Sequence, residues 1–171
     1  DKLLSNYSFI DLFSGIGGFH YALNSFGAKC VFASDINKHA SNVYEKNFNL
    51  KPFGDITKIN TKDIPKHDIL TAGFPCQAFS IAGKKEGFND TRGTLFFEII
   101  RISKEHKPKI LILENVKNLI SHDNGKTIKI IIKTLENLDY KVYYKILNTS
   151  NFGLPQSRKR IYFVCFKKDF I

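Results

Sequence analysis

Hydrophobic positions along the chain gather in short runs separated by longer amphipathic stretches. Apolar or β-branched runs at 7–13 (YSFIDLF), 30–34 (CVFAS), 68–74 (DILTAGF), 109–113 (KILIL), 142–147 (VYYKIL) and 161–166 (IYFVCF) predict strands. Between them the pattern predicts helices at about 19–26, 38–47, 94–106 and 126–138; in the third, Leu95, Ile99 and Ile102 recur at helical spacing. Strands alternating with helices imply an α/β fold whose sheet is mostly parallel, with helices on both faces. The last two strands are joined by a short loop around Asn151-Phe152-Gly153-Leu154-Pro155, which favours an antiparallel pair at one edge. No repeat, low-complexity tract or interdomain linker interrupts the pattern.

Composition narrows this picture without changing it. At 171 residues and 43% hydrophobic content the chain suits one domain with its own core. Lys and Arg number 26 against 16 Asp and Glu, a formal net charge of +10. That excess favours a polyanionic partner, or else describes a basic, Lys-rich soluble protein; charge alone does not separate the two. Cys30, Cys76 and Cys165 are far apart and form no CxxC pair, so neither a zinc site nor a disulfide framework is expected, and a reducing cytosolic compartment fits. No apolar run approaches the roughly 20 residues that span a bilayer, and Asp1-Lys2-Leu3-Leu4 lacks a signal-peptide pattern, so no membrane association is expected. Met is absent even at position 1, which implies that the sequence is not a complete primary translation product.

Several residue types then stand where chemistry is done. Cys76 follows Pro75 at the end of a buried run, on the edge where open α/β sheets keep their ligands, and is placed to be a nucleophile. The first strand runs into Asp11-Leu12-Phe13-Ser14-Gly15-Ile16-Gly17-Gly18. This glycine turn opens a helix and either receives a nucleotide-type cofactor or is a tight structural turn; it differs from the GxGxxG fingerprint. Asp35, after the second strand, either accepts hydrogen bonds from a ribose or caps the helix beginning near Lys38. Asp55 offers a similar choice between accepting a ligand's amino group and closing a turn. Glu114 directly follows an apolar run and either pairs structurally or acts on a substrate, with adjacent strand ends bringing it near Cys76. Arg158 and Arg160, at alternate positions, share one side if extended; they clamp a phosphate or carbonyl oxygen, or belong to a solvated basic edge.

Together these segments resemble the cytosine carbon-5 DNA methyltransferase family along essentially the whole chain. The resemblance rests on DLFSGIGGF at 11–19, GFPCQAFS at 73–80, RGTLFFEIIRI at 92–102, ENVKNL at 114–119 and QSRKR at 156–160, in that order. The nearest likeness is to small bacterial restriction-modification methylases of the GCGC-recognising type.

The resemblance implies a Rossmann-like S-adenosylmethionine-dependent methyltransferase fold and a cytoplasmic bacterial enzyme, without a metal, acting on duplex DNA. It implies that Cys76 attacks carbon 6 of a flipped cytosine, that Glu114 holds or protonates ring nitrogen 3, and that Arg160 contacts the carbonyl oxygen while Arg158 supports the thiolate side. Phe13, Gly15, Gly17, Gly18, Asp35, Ile36, Asp55, Ile56, Pro75 and Leu95 carry over to the cofactor pocket; Ile36 stands where an aromatic residue is often found. Gln77, Ser80, Lys84, Lys85 and Arg92 match a loop that closes over DNA, whose Gly83, Gly87 and Gly93 suit movement, and Gln156 joins the DNA-contacting set.

Family members usually continue well past the QSRKR segment with a target-recognition domain and a final helix. Residues 1–171 are therefore expected to be the catalytic and cofactor-binding domain of a longer enzyme, the other explanation being one subunit of a split methyltransferase whose second chain supplies recognition. Two other functions remain open at this point: a tRNA cytosine-5 methyltransferase, and a noncatalytic module that binds S-adenosylmethionine or DNA.

Overall fold

The computed structural model describes residues 2–75 and 95–170. Among them, six strands form one sheet in the order β2-β1-β3-β4-β6-β5. The strands are β1 (Ser8–Leu12), β2 (Lys29–Ser34), β3 (Ile69–Gly73), β4 (Ile110–Val116), β5 (Tyr140–Asn148) and β6 (Lys159–Lys167). The helices are α1 (Gly18–Ser25), α2 (Lys38–Phe48), α3 (Leu95–His106) and α4 (Lys126–Glu136). β1 to β4 pair in parallel, as their alternation with helices predicts. β6 runs antiparallel to both neighbours and is inserted between β4 and β5. The expected antiparallel edge pair is therefore present, and the outer place belongs to β5 rather than to the last strand.

Central strands are buried on both faces, which is why β1 and β3 read as nearly continuous apolar runs. Side chains alternate between two cores. Ile10, Leu12, Leu70, Ala72, Leu111 and Leu113 face α3 and α4, meeting Phe96, Ile99, Ile102, Ile131 and Leu135. Phe9 and Ile69 face the other way, with Leu23 of α1. α2 is secured by Asn37, whose Oδ1 accepts from the amides of His39 (3.0 Å) and Ala40 (3.1 Å). The cap is thus Asn37; Asp35, the alternative cap, is engaged elsewhere.

One strand boundary differs from the sequence pattern in a way that matters for the site. β4 continues through Glu114 and Asn115 to Val116, because β6 extends its ladder along these polar residues. Short 3-10 turns at Ile56–Lys58, Thr61–Asp63 and Thr149–Phe152 fill stretches without a predicted element. No helix among the described residues is long and apolar enough to cross a membrane.

The chain leaves β1 toward β2 on one side and later returns to β3 on the other. Between β1 and β3 lies the point where strand order reverses, and the carboxyl ends there open a crevice.

Candidate active site

The turn after β1 forms one wall of that crevice. Phe13, Gly15 and Gly17 all have positive φ, at 52°, 55° and 97°. The turn is held from outside by Asp35, whose Oδ2 accepts from the Gly15 amide at 2.7 Å while Oδ1 accepts from the Asn37 amide at 2.8 Å. A side chain at Gly15 or Gly18 would meet nothing within 4 Å, so both face open space. Gly17 faces inward instead: a Cβ there would lie 2.1 Å from Phe48 Cε2. Its missing side chain lets α2 pack against the start of α1, and it lines none of the cavities described below.

Two cavities meet at Phe13. The narrower, about 80 Å³, is lined by Phe13, Ser34, Asp35, Ile36, Gly54, Asp55, Ile56 and Leu95. Ile36 is 75% exposed, an apolar side chain open to a ligand. Asp55 accepts from the amide of Thr57 (3.0 Å) and its hydroxyl (2.7 Å), closing the 3-10 turn with one oxygen and leaving the other free for a ligand. The Thr57 hydroxyl is the main reason its carboxyl sits below the usual range.

The wider cavity, about 560 Å³, runs along Phe13, Ser14, Gly15, Ile16, Gly18, Phe19 and Ala22 to Gly73, Glu114, Arg158 and Tyr162. Ser14 Oγ in its wall is buried and has no hydrogen-bond partner among the described residues. An orphaned hydroxyl, open glycine positions and exposed apolar surface beside carboxylates are what an amphipathic nucleoside ligand with a polar tail requires.

Glu114 stands inside β4, opposite Gly73 of β3 and Tyr162 of β6. A Cβ on Gly73 would come 3.1 Å from Glu114 Oε2, so this glycine gives the carboxylate its room. Glu114 Oε1 lies 3.1 Å from Arg160 Nε, each side chain being 22% exposed. Burial pushes the Glu114 carboxyl above its ordinary range, and Arg160 and then Arg158 offset only part of that. A carboxyl so placed can hold a proton nearer neutrality.

Arg158 is exposed and lines both the wide cavity and a third of about 140 Å³, where Arg160, Tyr162, Leu147, Thr149 and Phe152 also lie. The two arginines thus converge on one pocket beside Glu114. Thr149 staples the loop that carries them, accepting from the Arg158 amide at 3.1 Å and donating to the Gln156 carbonyl. Gln156 itself is exposed on that loop. Pro75 is exposed at the end of β3's exit, and Cys76, Gln77, Ser80, Lys84 and Arg92 lie outside the described residues, as do Lys85, Gly83, Gly87 and Gly93.

Three members of this region escaped the sequence reading. Asn115, 2% exposed, donates from Nδ2 to the Phe74 carbonyl at 2.9 Å and fixes the chain entering Pro75. A polar side chain between Glu114 and a valine in a buried strand was the available signal. Tyr162, opposite Glu114, shares both larger pockets with Arg158, but one tyrosine in an aromatic strand carries no local mark.

The third is Asp11, fully buried beneath the turn on the face of β1 that looks toward α1 and α2. Its Oδ1 accepts from Thr71 Oγ1 at 2.9 Å and its Oδ2 from Tyr44 OH at 3.5 Å. The backbone of His20, in the first turn of α1, also acts to lower this carboxyl. Tyr44 OH in turn lies 2.7 Å from His20 Nδ1, and the His20 ring stacks on Phe48 at 4.0 Å. The signal was a carboxylate inside an otherwise apolar strand. Among the described residues no cluster of three His, Cys, Asp or Glu side chains could hold a metal ion.

Comparison with known proteins agrees with this arrangement. A family model described as C-5 cytosine-specific DNA methylase matches residues 7–171. The type II methyltransferase M.HhaI of Haemophilus parahaemolyticus is 57% identical over 169 residues, covering 99% of this chain and 52% of the relative. The type II methyltransferase M.NgoBI of Neisseria gonorrhoeae is 59% identical over 163 residues, covering 95% and 51%. Among solved structures, the S. pombe Dnmt2 methyltransferase superposes with a TM-score of 0.78 at 29% identity, over 95% of this chain and 51% of that one. A putative DNA modification methyltransferase of an E. coli prophage gives 0.77 at 26% identity, over 95% and 47%. The chain spans about half the length of the curated relatives it matches.

Proposed function

The chain belongs to the C-5 cytosine-specific DNA methylase family, and from that premise we propose that it transfers a methyl group from S-adenosylmethionine to carbon 5 of a cytosine in duplex DNA, as part of a restriction-modification system. The observation that carries the reading is the Glu114–Arg160 pair at the rim of the crevice, a carboxyl held above its ordinary range beside a guanidinium. That pairing suits a group that must hold a proton on a heteroaromatic nitrogen while a cation stabilises the adjacent carbonyl oxygen.

In this reading the cofactor occupies the crevice at Phe13. Asp35 and Asp55 accept from its hydroxyl and amino groups, Ile36, Ile56 and Leu95 pack its base, and Gly15, Gly18 and Ser14 receive its polar tail. When bound, S-adenosylmethionine supplies an electrophilic methyl group. Cys76 adds to carbon 6 of the cytosine; Glu114 holds or donates a proton at nitrogen 3 and Arg160 contacts the carbonyl oxygen, so the charge pushed into the ring is stabilised. Loss of the carbon-5 proton to a base then returns the electron pair that expels Cys76. Arg158, exposed between two pockets, supports the thiolate side, and Gln77, Ser80, Lys84, Arg92 and Gln156 are assigned to DNA. No residue here is assigned to a metal.

Residues 1–171 read as one catalytic and cofactor-binding domain, with target-sequence recognition left to other residues of the same polypeptide or of a second chain. The DNA reading is preferred to the tRNA and noncatalytic alternatives because the matching family model is one of DNA methylases and the relatives at 57–59% identity are named type II methyltransferases.

The test is covalent trapping in the intact protein with S-adenosylmethionine and duplex DNA carrying 5-fluorocytosine, where methyl transfer leaves a carbon-5 fluorine in place of the proton whose loss would release the enzyme. A denaturant-resistant adduct that maps to Cys76 and disappears in Cys76→Ser is expected. A tRNA adduct in its place would move the assignment to RNA, and cofactor binding without any adduct would leave a noncatalytic module.

A further inference from the structure

Among the described residues Asp11 is the one buried carboxylate that the methyl-transfer roles leave unused. It lies two residues before Phe13, where both cofactor-side cavities begin. Its hydrogen bonds come from the two sides: Thr71 of β3 to Oδ1 and Tyr44 of α2 to Oδ2. No cation pairs with it among the described residues. We propose that Asp11 is a specificity-determining residue of the cofactor site, favouring a ligand that carries positive charge in the crevice over the neutral ligand that remains once the charge is lost.

The inference rests on the reading of the crevice as the S-adenosylmethionine site. The methyl donor is a sulfonium cation, whereas S-adenosylhomocysteine is an uncharged thioether, so one transfer removes one unit of charge from the crevice. A buried carboxylate with donors but no counter-ion responds to such a charge strongly, because the interior screens it poorly. Geometry couples the two places: Asp11 stands two residues before the Phe13 that lines both cavities, and Asp35, whose negative charge acts to raise the Asp11 carboxyl, binds the Gly15 amide on the crevice wall. A positive ligand acts with the opposite sign.

Burial is the largest influence on Asp11 and lifts it to about 7, with Thr71 and Tyr44 opposing. The group is therefore divided between its two forms near neutrality. The side chains facing it do not obscure this. Burial holds the His20 ring below its ordinary value and so neutral, lifts the Cys30 thiol to about 11, and raises Tyr44 further. Cys30 touches the network only through Tyr44 OH, at 3.7 Å. Among the side chains that hydrogen-bond around Asp11, its carboxyl is thus the one that changes charge near neutrality.

By linkage, a cation that lowers the Asp11 pKa binds more tightly to the ionised form, so its affinity rises with pH until Asp11 is ionised in the free protein. The neutral product shows no such rise. The release of product and the capture of the next donor are then both favoured by the same group.

The experiment is calorimetric binding of S-adenosylmethionine and of S-adenosylhomocysteine to the intact protein between about pH 6 and 8.5, in buffers of different ionisation enthalpy, for the wild type and Asp11→Asn. The expected ratio of donor to product affinity rises about threefold or more in the wild type, tenfold for each unit by which the cation lowers the pKa, with proton release on donor binding near pH 7. In Asp11→Asn both the rise and the extra proton vanish. Thr71→Val, which removes one donor to the carboxylate and keeps the charge, moves the rise to higher pH and decides the matter if Asp11→Asn does not fold. A ratio that changes equally in wild type and Asp11→Asn, or an unmoved midpoint in Thr71→Val, overturns the inference. Both ligands binding with a flat ratio overturns it alone, whereas no binding of either ligand overturns the cofactor reading with it.

Discussion

Arg160 Nε reaches Glu114 Oε1 at 3.1 Å although the two residues are not partners in the β4–β6 ladder. Glu114 stands opposite Tyr162, and Arg160 opposite Val116, so the guanidinium leans diagonally across the ladder to reach the carboxylate. The same guanidinium donates from Nη1 to the Lys159 carbonyl at 2.9 Å, which fixes its plane. The pair is a preset one, shaped before any base arrives.

Removing the cation should therefore change the titration of Glu114 rather than only weaken contacts. Burial already lifts this carboxyl, and Arg160 is the main influence opposing it. Arg160→Ala is expected to raise the Glu114 pKa further, so the group titrating in the kcat–pH profile moves to higher pH, with Arg160→Lys falling between. Glu114→Gln should remove that titration and lower kcat by about 10²–10⁴, the range for losing a positioned acid or base. A profile unmoved by Arg160→Ala would mean that the pair is only structural.

The glycine turn separates two kinds of requirement that look alike in sequence. Gly17 combines a φ of 97° with a Cβ position 2.1 Å from the Phe48 ring, and Phe48 is held by its stack on His20. Gly17→Ala should destabilise the fold by about 1–3 kcal/mol through overpacking and left-handed strain. Gly18 has open space where a side chain would stand. Gly18→Ala should leave the melting temperature nearly unchanged yet weaken cofactor binding, because its methyl group enters the wide cavity. Thermal melts beside binding isotherms distinguish these outcomes; a Gly17→Ala protein as stable as wild type would contradict the packing argument.

Most of the elements were legible because the core strands are nearly continuous apolar runs, and α3 carries Ile99 and Ile102 at helical spacing, although Phe96 rather than Leu95 joins them in the core. Glu114 and Asp35 were legible as candidate site residues because a carboxylate next to a buried strand needs a reason. What local pattern could not supply was pairing. That β6 enters between β4 and β5 depends on Leu113 meeting Phe163 across the ladder, a contact between residues far apart in sequence. The division between Asp35 and Asn37 was hidden for a similar reason: both precede α2 and both can cap, and only the return of the glycine turn gives Asp35 its other partner. Glycine identity at 15, 17 and 18 likewise says nothing about which one faces Phe48.

Asp11 leads to a prediction about stability that does not depend on any ligand. Its ordinary carboxyl value of 3.8 describes the unfolded chain, and burial lifts it to about 7 in the fold. A group raised on folding contributes stability that is complete below the unfolded value and is lost as pH rises through the folded one, so Asp11 costs progressively more between about pH 4 and 7. At 1.36 kcal/mol per unit the full cost is at most about 4 kcal/mol. Asp55 and Asp68 are lowered on folding and act in the opposite sense, losing their contribution as pH falls. Subtracting Asp11→Asn from wild type cancels these groups, along with any constant change in hydrogen bonding to Thr71 and Tyr44. Denaturant unfolding at several pH values should show the Asn variant gaining on wild type steadily between about pH 4 and 7 and levelling off above that, where Asp11 is ionised in both states. A difference in stability that stays constant with pH would mean that Asp11 ionises in the fold as it does in the unfolded chain, and that its buried hydrogen bonds offset the whole cost of removing it from water.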